Sequence, residues 1–344
     1  MTKFVSIGAA VAISAVAVVG GPARAADVYD GQTINFIIGG NPGGGYDTYA
    51  RLVARHLADH IPGHPTIVPQ NMPGAGSGKA AQYMFTVAPK DGTAIGALYP
   101  GAIIGPLLDD KTKWHFDPTK FVYVGSADSG QRLCLTWKTS ETKTFDDARK
   151  RKTVMGASQA GGSTRDYAYL LNHMAGTKFD VVSGYKGSSD ILLAMERGEV
   201  EGLCGFDWSS LLAQKPDWVK NKSVNILLQM GVDANEDLSK KGVPEVWKYV
   251  DSDDDRQAIR LIVSQQVFGR PYILPPGTPG DRAKILRTAF DATMKDKAFL
   301  DDAAKARIII EPTSGQKVQD LVKELYATPT RIVDKAKSAT TPGS

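Results

Sequence analysis

The run IIGGNPGGGYDTYARLVARHL, residues 37–57, narrows the choice of folds more than any other stretch of the chain. A short β-branched strand, TINFII (33–38), ends in five glycines within seven positions, and a helical pattern starts at once. From Asp47 to His60 the apolar residues Tyr49, Leu52, Val53 and Leu57 fall near helical spacing, and Pro62-Gly63 stops the helix. The unit then repeats. PTIVPQ (65–70) reads as a second strand, NMPGAGSG as a second glycine loop, Lys79–Val87 as a second helix and TAIGALY (93–99) as a third strand. A parallel sheet with right-handed crossovers satisfies this order.

FVYVGSA (121–127) is a strand leading elsewhere, and a similar alternation restarts from about 128 to 265. RLCLTW, TVMGAS, FDVVSGY, VEGLCGF and NILLQM read as strands, with helices at Arg165–Ala175 and Ser189–Arg197. VFGRPYILPPGTP (267–279) is a proline-rich return. Amphipathic helices follow at Asp281–Met294 and Lys297–Ala304, with two more near the C-terminus. At ~100–200 residues per domain, 344 residues hold two such units.

The first 25 residues stand apart. Lys3 is a minimal basic start, Phe4 to Val19 is an apolar stretch, and Ala23-Arg24-Ala25 forms an A-x-A signature. This reads as a secretory signal peptide cleaved after Ala25. The stretch is short of the ~20 apolar residues that span a bilayer. Without Lys3 and Arg24 the chain has 39 basic against 37 acidic side chains, a balance that argues against a nucleic-acid partner. Export also bears on Cys134 and Cys204: a pair in an oxidising compartment suggests one disulfide, the alternative being two buried thiols. On the chain-entropy model that bridge stabilises by roughly 3–4 kcal/mol.

Glycine lets a ligand approach the backbone, and a loop entering a helix aims free N–H groups and the positive end of the helix dipole at one point. Asn41 to Asp47 is thus an anion cradle. Nucleotide phosphate is a poor fit. The dinucleotide fingerprint fails at Thr48, and Gly78-Lys79 is followed by Ala80 rather than Ser or Thr. A carboxylate suits better, and no cofactor is implied. The second unit repeats the design: TVMGAS runs into Gln159-Ala160-Gly161-Gly162-Ser163-Thr164 and then a helix.

These motifs carry a resemblance. Pro42-Gly43-Gly44 with Asp47, then Asn71-Met72-Pro73-Gly74-Ala75-Gly76, then Ala88-Pro89-Lys90-Asp91-Gly92 resemble the receptors of tripartite tricarboxylate transporters, the Bug-type periplasmic binding proteins. Gly184-Tyr185-Lys186-Gly187, Arg197 to Gly202 and Pro275 to Pro279 extend the likeness over nearly the whole chain after the leader. The resemblance implies an α/β, type II, two-lobed Venus-flytrap fold, each lobe a mainly parallel sheet flanked by helices. It places lobe one at 27–125 plus 268–344, lobe two at 126–267, and a hinge near 121–131 and 265–272. It implies capture of a small carboxylate, with membrane permease subunits as the other partner, by a monomeric, non-enzymatic, periplasmic protein. Carried over residue by residue, the ligand meets Gly43, Gly44, Gly45 and Asp47 in lobe one, and Gly161, Gly162, Ser163 and Thr164 in lobe two. Tyr185 and Asp207 are further candidates, and Tyr46 and Trp208 either stack on an aromatic ligand or fill the core. The second turn departs from the family's S-x-G-x-G-S followed by His: here Arg165-Asp166 follow, and Arg165 either pairs with a second carboxylate or faces solvent.

Three other readings compete with this one. Gly156-Ala157-Ser158-Gln159-Ala160 approaches a nucleophile elbow, which makes an exported serine hydrolase using Ser158 the rival from another class. A two-lobed sensor docking on a signalling partner is the rival without transport. His56, His60 and His64 recur every fourth residue, but Pro62-Gly63 breaks the helix before the third, so no metal site is assigned. The exported protein should begin at Ala26; N-terminal sequencing of the secreted chain checks this, and an intact Met1 would refute it.

Overall fold

The structure, a computed structural model, describes Met1 and residues 28–43, 45–108, 114–158, 162–185 and 187–342. The leader with its cleavage point after Ala25, Gly44 and Gly161 lie outside the described residues. The strands are β1 Thr33–Ile38, β2 Thr66–Asn71, β3 Ala94–Ala97, β4 Val122–Ser126, β5 Arg132–Trp137, β6 Thr153–Ala157, β7 Phe179–Ser183, β8 Gly202–Asp207, β9 Val224–Met230, β10 Pro271–Leu274 and β11 Thr313–Ser314. The helices are α1 Gly45–Leu57, α2 Gly78–Thr86, α3 Pro100–Leu108, α4 Phe145–Lys150, α5 Ser163–Met174, α6 Ser188–Glu196, α7 Trp208–Gln214, α8 Pro216–Lys220, α9 Glu236–Lys240, α10 Asp253–Val263, α11 Gly280–Thr293, α12 Lys297–Lys305, α13 Gly315–Tyr326 and α14 Thr330–Ala339.

Two sheets result, ordered β11-β4-β10-β3-β1-β2 and β7-β6-β8-β5-β9. The expected α/β architecture is present, and each sheet is mixed rather than uniform. β1 pairs in parallel with β2 and β3, and β6 with β7 and β8. Two of the reversed strands follow a passage between the sheets, and the short β11, antiparallel to β4, is a third. β5 arrives from β4 and runs antiparallel to β8 and β9, and β10 arrives from the second sheet's side and runs antiparallel to β3 and β4.

Local chemistry explains most elements. α1 buries Tyr49, Leu52, Val53 and Leu57, the residues spaced for one face, and packs on β2, α11 and α12. The acidic run at 251–255 starts α10: the Ser252 side chain accepts the Asp255 N–H at 3.3 Å, and three aspartates sit in the first turn. α3 contradicts its own composition. PGAIIGPLL reads as loop punctuation, yet it is helical because Ala102, Ile103, Ile104 and Leu107 are all buried. β10 likewise forms within the proline-rich return, its Pro271 standing first in the strand, where a missing N–H costs least.

Cys134 of β5 and Cys204 of β8 are fully buried and joined in a disulfide. The bridge fastens the reversed strand to its neighbour. Below it, Gly205 has φ +66°, and a Cβ there would lie 2.2 Å from the Ser163 carbonyl oxygen. That glycine lets β8 lie directly beneath the start of α5.

The last helix does not stay with its sequence neighbours. α13 packs on β4, whereas α14 packs on α10 and α5 and touches α3. One apolar cluster accordingly runs from Met84 and Ile103 through Ile332 and Val333 to Leu170 and Leu261. Among the described residues, no helix is long and apolar enough to cross a membrane. Gly205→Ala should destabilise the protein by roughly 2–5 kcal/mol, the sum of a left-handed non-glycine residue and local overpacking. A urea midpoint unchanged from the parent would refute this account of the β8–α5 contact.

Candidate functional site

The first glycine turn is tied to the start of α1 by Asp47. Its carboxylate accepts the Gly43 N–H at 2.8 Å, Arg51 Nε at 2.9 Å and Asn71 Nδ2 at 2.8 Å. Asn71 also donates to the Gly40 carbonyl at 2.9 Å and accepts from Arg51 at 2.7 Å. Burial works against the charged form of Asp47, but the hydrogen bonds from Asn71, Gly43 and Arg51 outweigh it and hold its carboxyl below the usual range. Asp47 therefore spends its oxygens inside the protein, as a clamp on the turn. The second glycine loop braces it from below. Ser77, itself at φ 72°, donates to the Gly39 carbonyl at 3.1 Å and accepts the Tyr99 N–H at 3.1 Å. Gly43 and Gly45 are left at the surface, Gly43 with φ +75°.

The second turn is held in an analogous way. Thr164, 5% exposed, accepts the Ser158 N–H at 2.9 Å and donates to Ser158 Oγ at 2.8 Å. Gly162 caps α5 through its backbone alone, without a side-chain hydrogen bond. Ser158 thus has Thr164 as its hydroxyl partner, and the His173 ring is occupied by the Thr341 carbonyl at 3.1 Å. The hydrolase reading gains no support from this geometry, because neither contact joins the serine to a base.

Between the two sheets lies a cavity of about 770 Å³. Tyr46 of α1 and Ser163 of α5 both line it, so the starts of both helices border one space. Among the described residues, Arg132, Arg165 and Lys337 bring three cations to its wall, against Asp166 as the one acid. Tyr99, Ile104, Leu108 and Trp114 form an apolar side. The remaining sequence candidates lie elsewhere. Tyr185 packs partly on the core of the second sheet, and Trp208 is buried in that core. Asp207 caps α7, accepting the Ser210 N–H at 3.2 Å, and pairs with Arg132 at 3.5 Å. His56 and His60 face separate acids, Asp302 at 3.2 Å and Asp296 at 3.3 Å, so they stitch α1 to α12 instead of converging on one point.

A group of charges at the passage between the sheets escaped the sequence reading. The Arg270 guanidinium lies 4.2 Å from the Tyr46 ring centre and 4.8 Å from that of Tyr49, and Tyr46 stacks on Tyr99 at 4.0 Å. Asp128 is 2% exposed, and among the described residues its Oδ1 lacks a hydrogen-bond partner, as do Arg132 Nε and Arg270 Nε. Burial first, then the charges of Asp207 and Glu311, push the Asp128 carboxyl up to about 7 against the pull of Arg270 and Arg132. Arg132 had a faint signal, a charge opening an otherwise apolar strand. Trp114 and Lys337 had none, since only the tertiary fold brings them to this cavity.

No family model and no curated protein matches the chain. Solved structures do. A TctC solute binding protein from Polaromonas superposes with a TM-score of 0.70 at 17% identity, covering 90% of this chain and 98% of that one. A protein from Rhodopseudomonas palustris with adipate gives 0.60 at 20% identity, covering 89% and 97%. MatC from the same organism, with bound malate, gives 0.57 at 17% identity, covering 90% and 99%. The likeness spans almost the whole of each chain and identifies the two-lobed fold of periplasmic solute-binding proteins.

Asp128 also yields a test. Its folded carboxyl holds its proton more tightly than the unfolded chain does, so its contribution to stability falls as pH rises from about 3.8 to about 7 and is level above that. Asp128→Asn should flatten the stability profile in that window. Urea titrations at successive pH values check it, and a variant profile parallel to the parent's would refute the assignment.

Proposed function

We propose that this protein is a periplasmic receptor that binds a small carboxylate-containing solute between its lobes and delivers it to the permease of a tripartite tricarboxylate transporter. One observation carries the reading: the starts of α1 and α5 border the same cavity, whose wall, among the described residues, holds three cations and one acid. Two helix N-termini and an excess of positive charge suit a carboxylate. The solved structures of this fold with malate and with adipate agree in ligand chemistry.

In this proposal the backbone of Gly43, Gly44 and Gly45 faces that of Gly161, Gly162 and Ser163 across the ligand, while Asp47 and Thr164 hold their turns in shape. Lobe one comprises 27–125 plus 268–344 and lobe two 126–267, with the hinge near 121–131 and 265–272; α14 reaches across to lobe two. The leader is removed after Ala25. Ligand shifts the protein to a closed form because it binds that form better than the open one, and the closed form is what the permease reads.

A thermal-shift screen of the mature protein tests this with mono-, di- and tricarboxylates. A true ligand at about 100 times its dissociation constant stabilises by ~2.7 kcal/mol, a shift of several degrees. No shift with any acid, together with ester cleavage that disappears in Ser158→Ala, would overturn the receptor and promote the hydrolase.

A further inference from the structure

The cavity has two unlike sides. The first sheet's side contributes Tyr99, Ile104, Leu108 and Trp114, mostly apolar surface, with Trp114 Nε1 lacking a hydrogen-bond partner among the described residues. α3 is shaped for this. A Cβ at Gly105 would lie 2.6 Å from the Trp114 ring, and one at Gly78 would lie 3.1 Å from it. Glycine at both places lets the indole lie against two helices at once while one part of it still borders the cavity.

The opposite side is cationic and comes partly from the end of the chain. Arg165 Nη1 makes two long contacts, 3.4 Å to Asp166 Oδ1 and 3.4 Å to the Thr340 carbonyl, and its guanidinium lies 5.0 Å from the Tyr169 ring centre. These contacts aim the head at the C-terminal end of α14 without saturating its five donors. Lys337, one turn before Thr340, lines the same cavity and forms no ion pair among the described residues. A ligand with a single carboxylate at the helix starts would leave both cations unanswered across from an apolar wall. A short aliphatic diacid would leave the indole wet in a cavity whose volume, about 770 Å³, lies in the upper part of the ~300–1,000 Å³ range of small-molecule pockets.

We propose that the ligand is a rigid, apolar-bodied diacid, of the size of an aromatic dicarboxylate. One carboxylate meets the starts of α1 and α5, the body lies against Trp114, Ile104 and Leu108, and the second carboxylate is received by Arg165 and Lys337. The inference rests on the receptor reading and sharpens it to a substrate class. It also makes the C-terminal helix part of the binding site.

Calorimetry on the mature protein with terephthalate, benzoate and adipate tests it. Terephthalate should bind about tenfold or more tightly than either of the others. Lys337→Ala should weaken terephthalate about tenfold and leave benzoate within about twofold, because the benzoate complex makes no use of that cation. Lys337 is exposed, so this variant folds even if Arg165→Gln does not. Trp114→Leu should weaken terephthalate more than adipate. Adipate binding as tightly as terephthalate, with Lys337→Ala silent toward both, overturns the substrate class and leaves the receptor standing. Binding of none of the three acids, nor of any acid in the wider screen, overturns both.

Discussion

The buried hydroxyl of Ser126 joins the two chain passages on which the two-lobed arrangement depends. It donates to the Asp128 carbonyl at 2.8 Å on its own segment and accepts the Arg270 N–H at 3.0 Å from the returning one. Gly269 N donates to the same Asp128 carbonyl at 3.0 Å, and Ala127 N to the Arg270 carbonyl at 3.2 Å. A Cβ on Gly269 would approach that Asp128 carbonyl to 3.0 Å, so the close pass is made between bare backbones. From this knot the geometry spreads outward. Arg270 emerges to stack on Tyr46 and Tyr49 of α1, and Arg132 emerges on the other side to meet Asp207. The glycine turn of one lobe and the helix cap of the other are thus referenced to the same few atoms.

The turns divide their labour between side chain and backbone. Asp47 and Thr164, the polar residues that looked most like ligand contacts, are consumed by Gly43, Asn71, Arg51 and Ser158. That arrangement has a physical advantage. A carboxylate pointed at an anionic ligand would repel it, whereas the same carboxylate folded inward fixes the turn through the Gly43 N–H, Asn71 and Arg51. Under the proposed function, recognition of charge falls to the backbone of the turns and discrimination to side chains farther along the cavity.

That division also explains which parts could be read from sequence. TINFII and RLCLTW form strands with the boundaries read from the sequence, because burial on alternate or all positions and β-branched content agree there with tertiary context. α3 was missed because Pro100, Gly101, Gly105 and Pro106 signal a loop, and only the apolar cluster around Ile103 and Ile104 overrides them. The two strand-to-helix junctions were legible because strand, glycine and helix follow one another in the chain. Trp114, Lys337 and Arg270 were not, because they reach the cavity from segments far apart in sequence. Asp207, the last residue of β8, caps α7 and pairs with Arg132, a contact its place in the sequence does not announce.

The strand order has a bearing on how the chain is assembled. All strands of the second sheet come from one continuous stretch, 132–230, which also contains both cysteines. The first sheet cannot join β3 to β4 until β10, at 271–274, has been inserted between them. For a chain exported as proposed, threading from the N-terminus delivers a complete second sheet, able to oxidise its thiols, while the first still has a gap in its middle. The earliest residues to emerge wait longest for their fold, and a chaperone guarding this protein in transit would find its client at the N-terminal end.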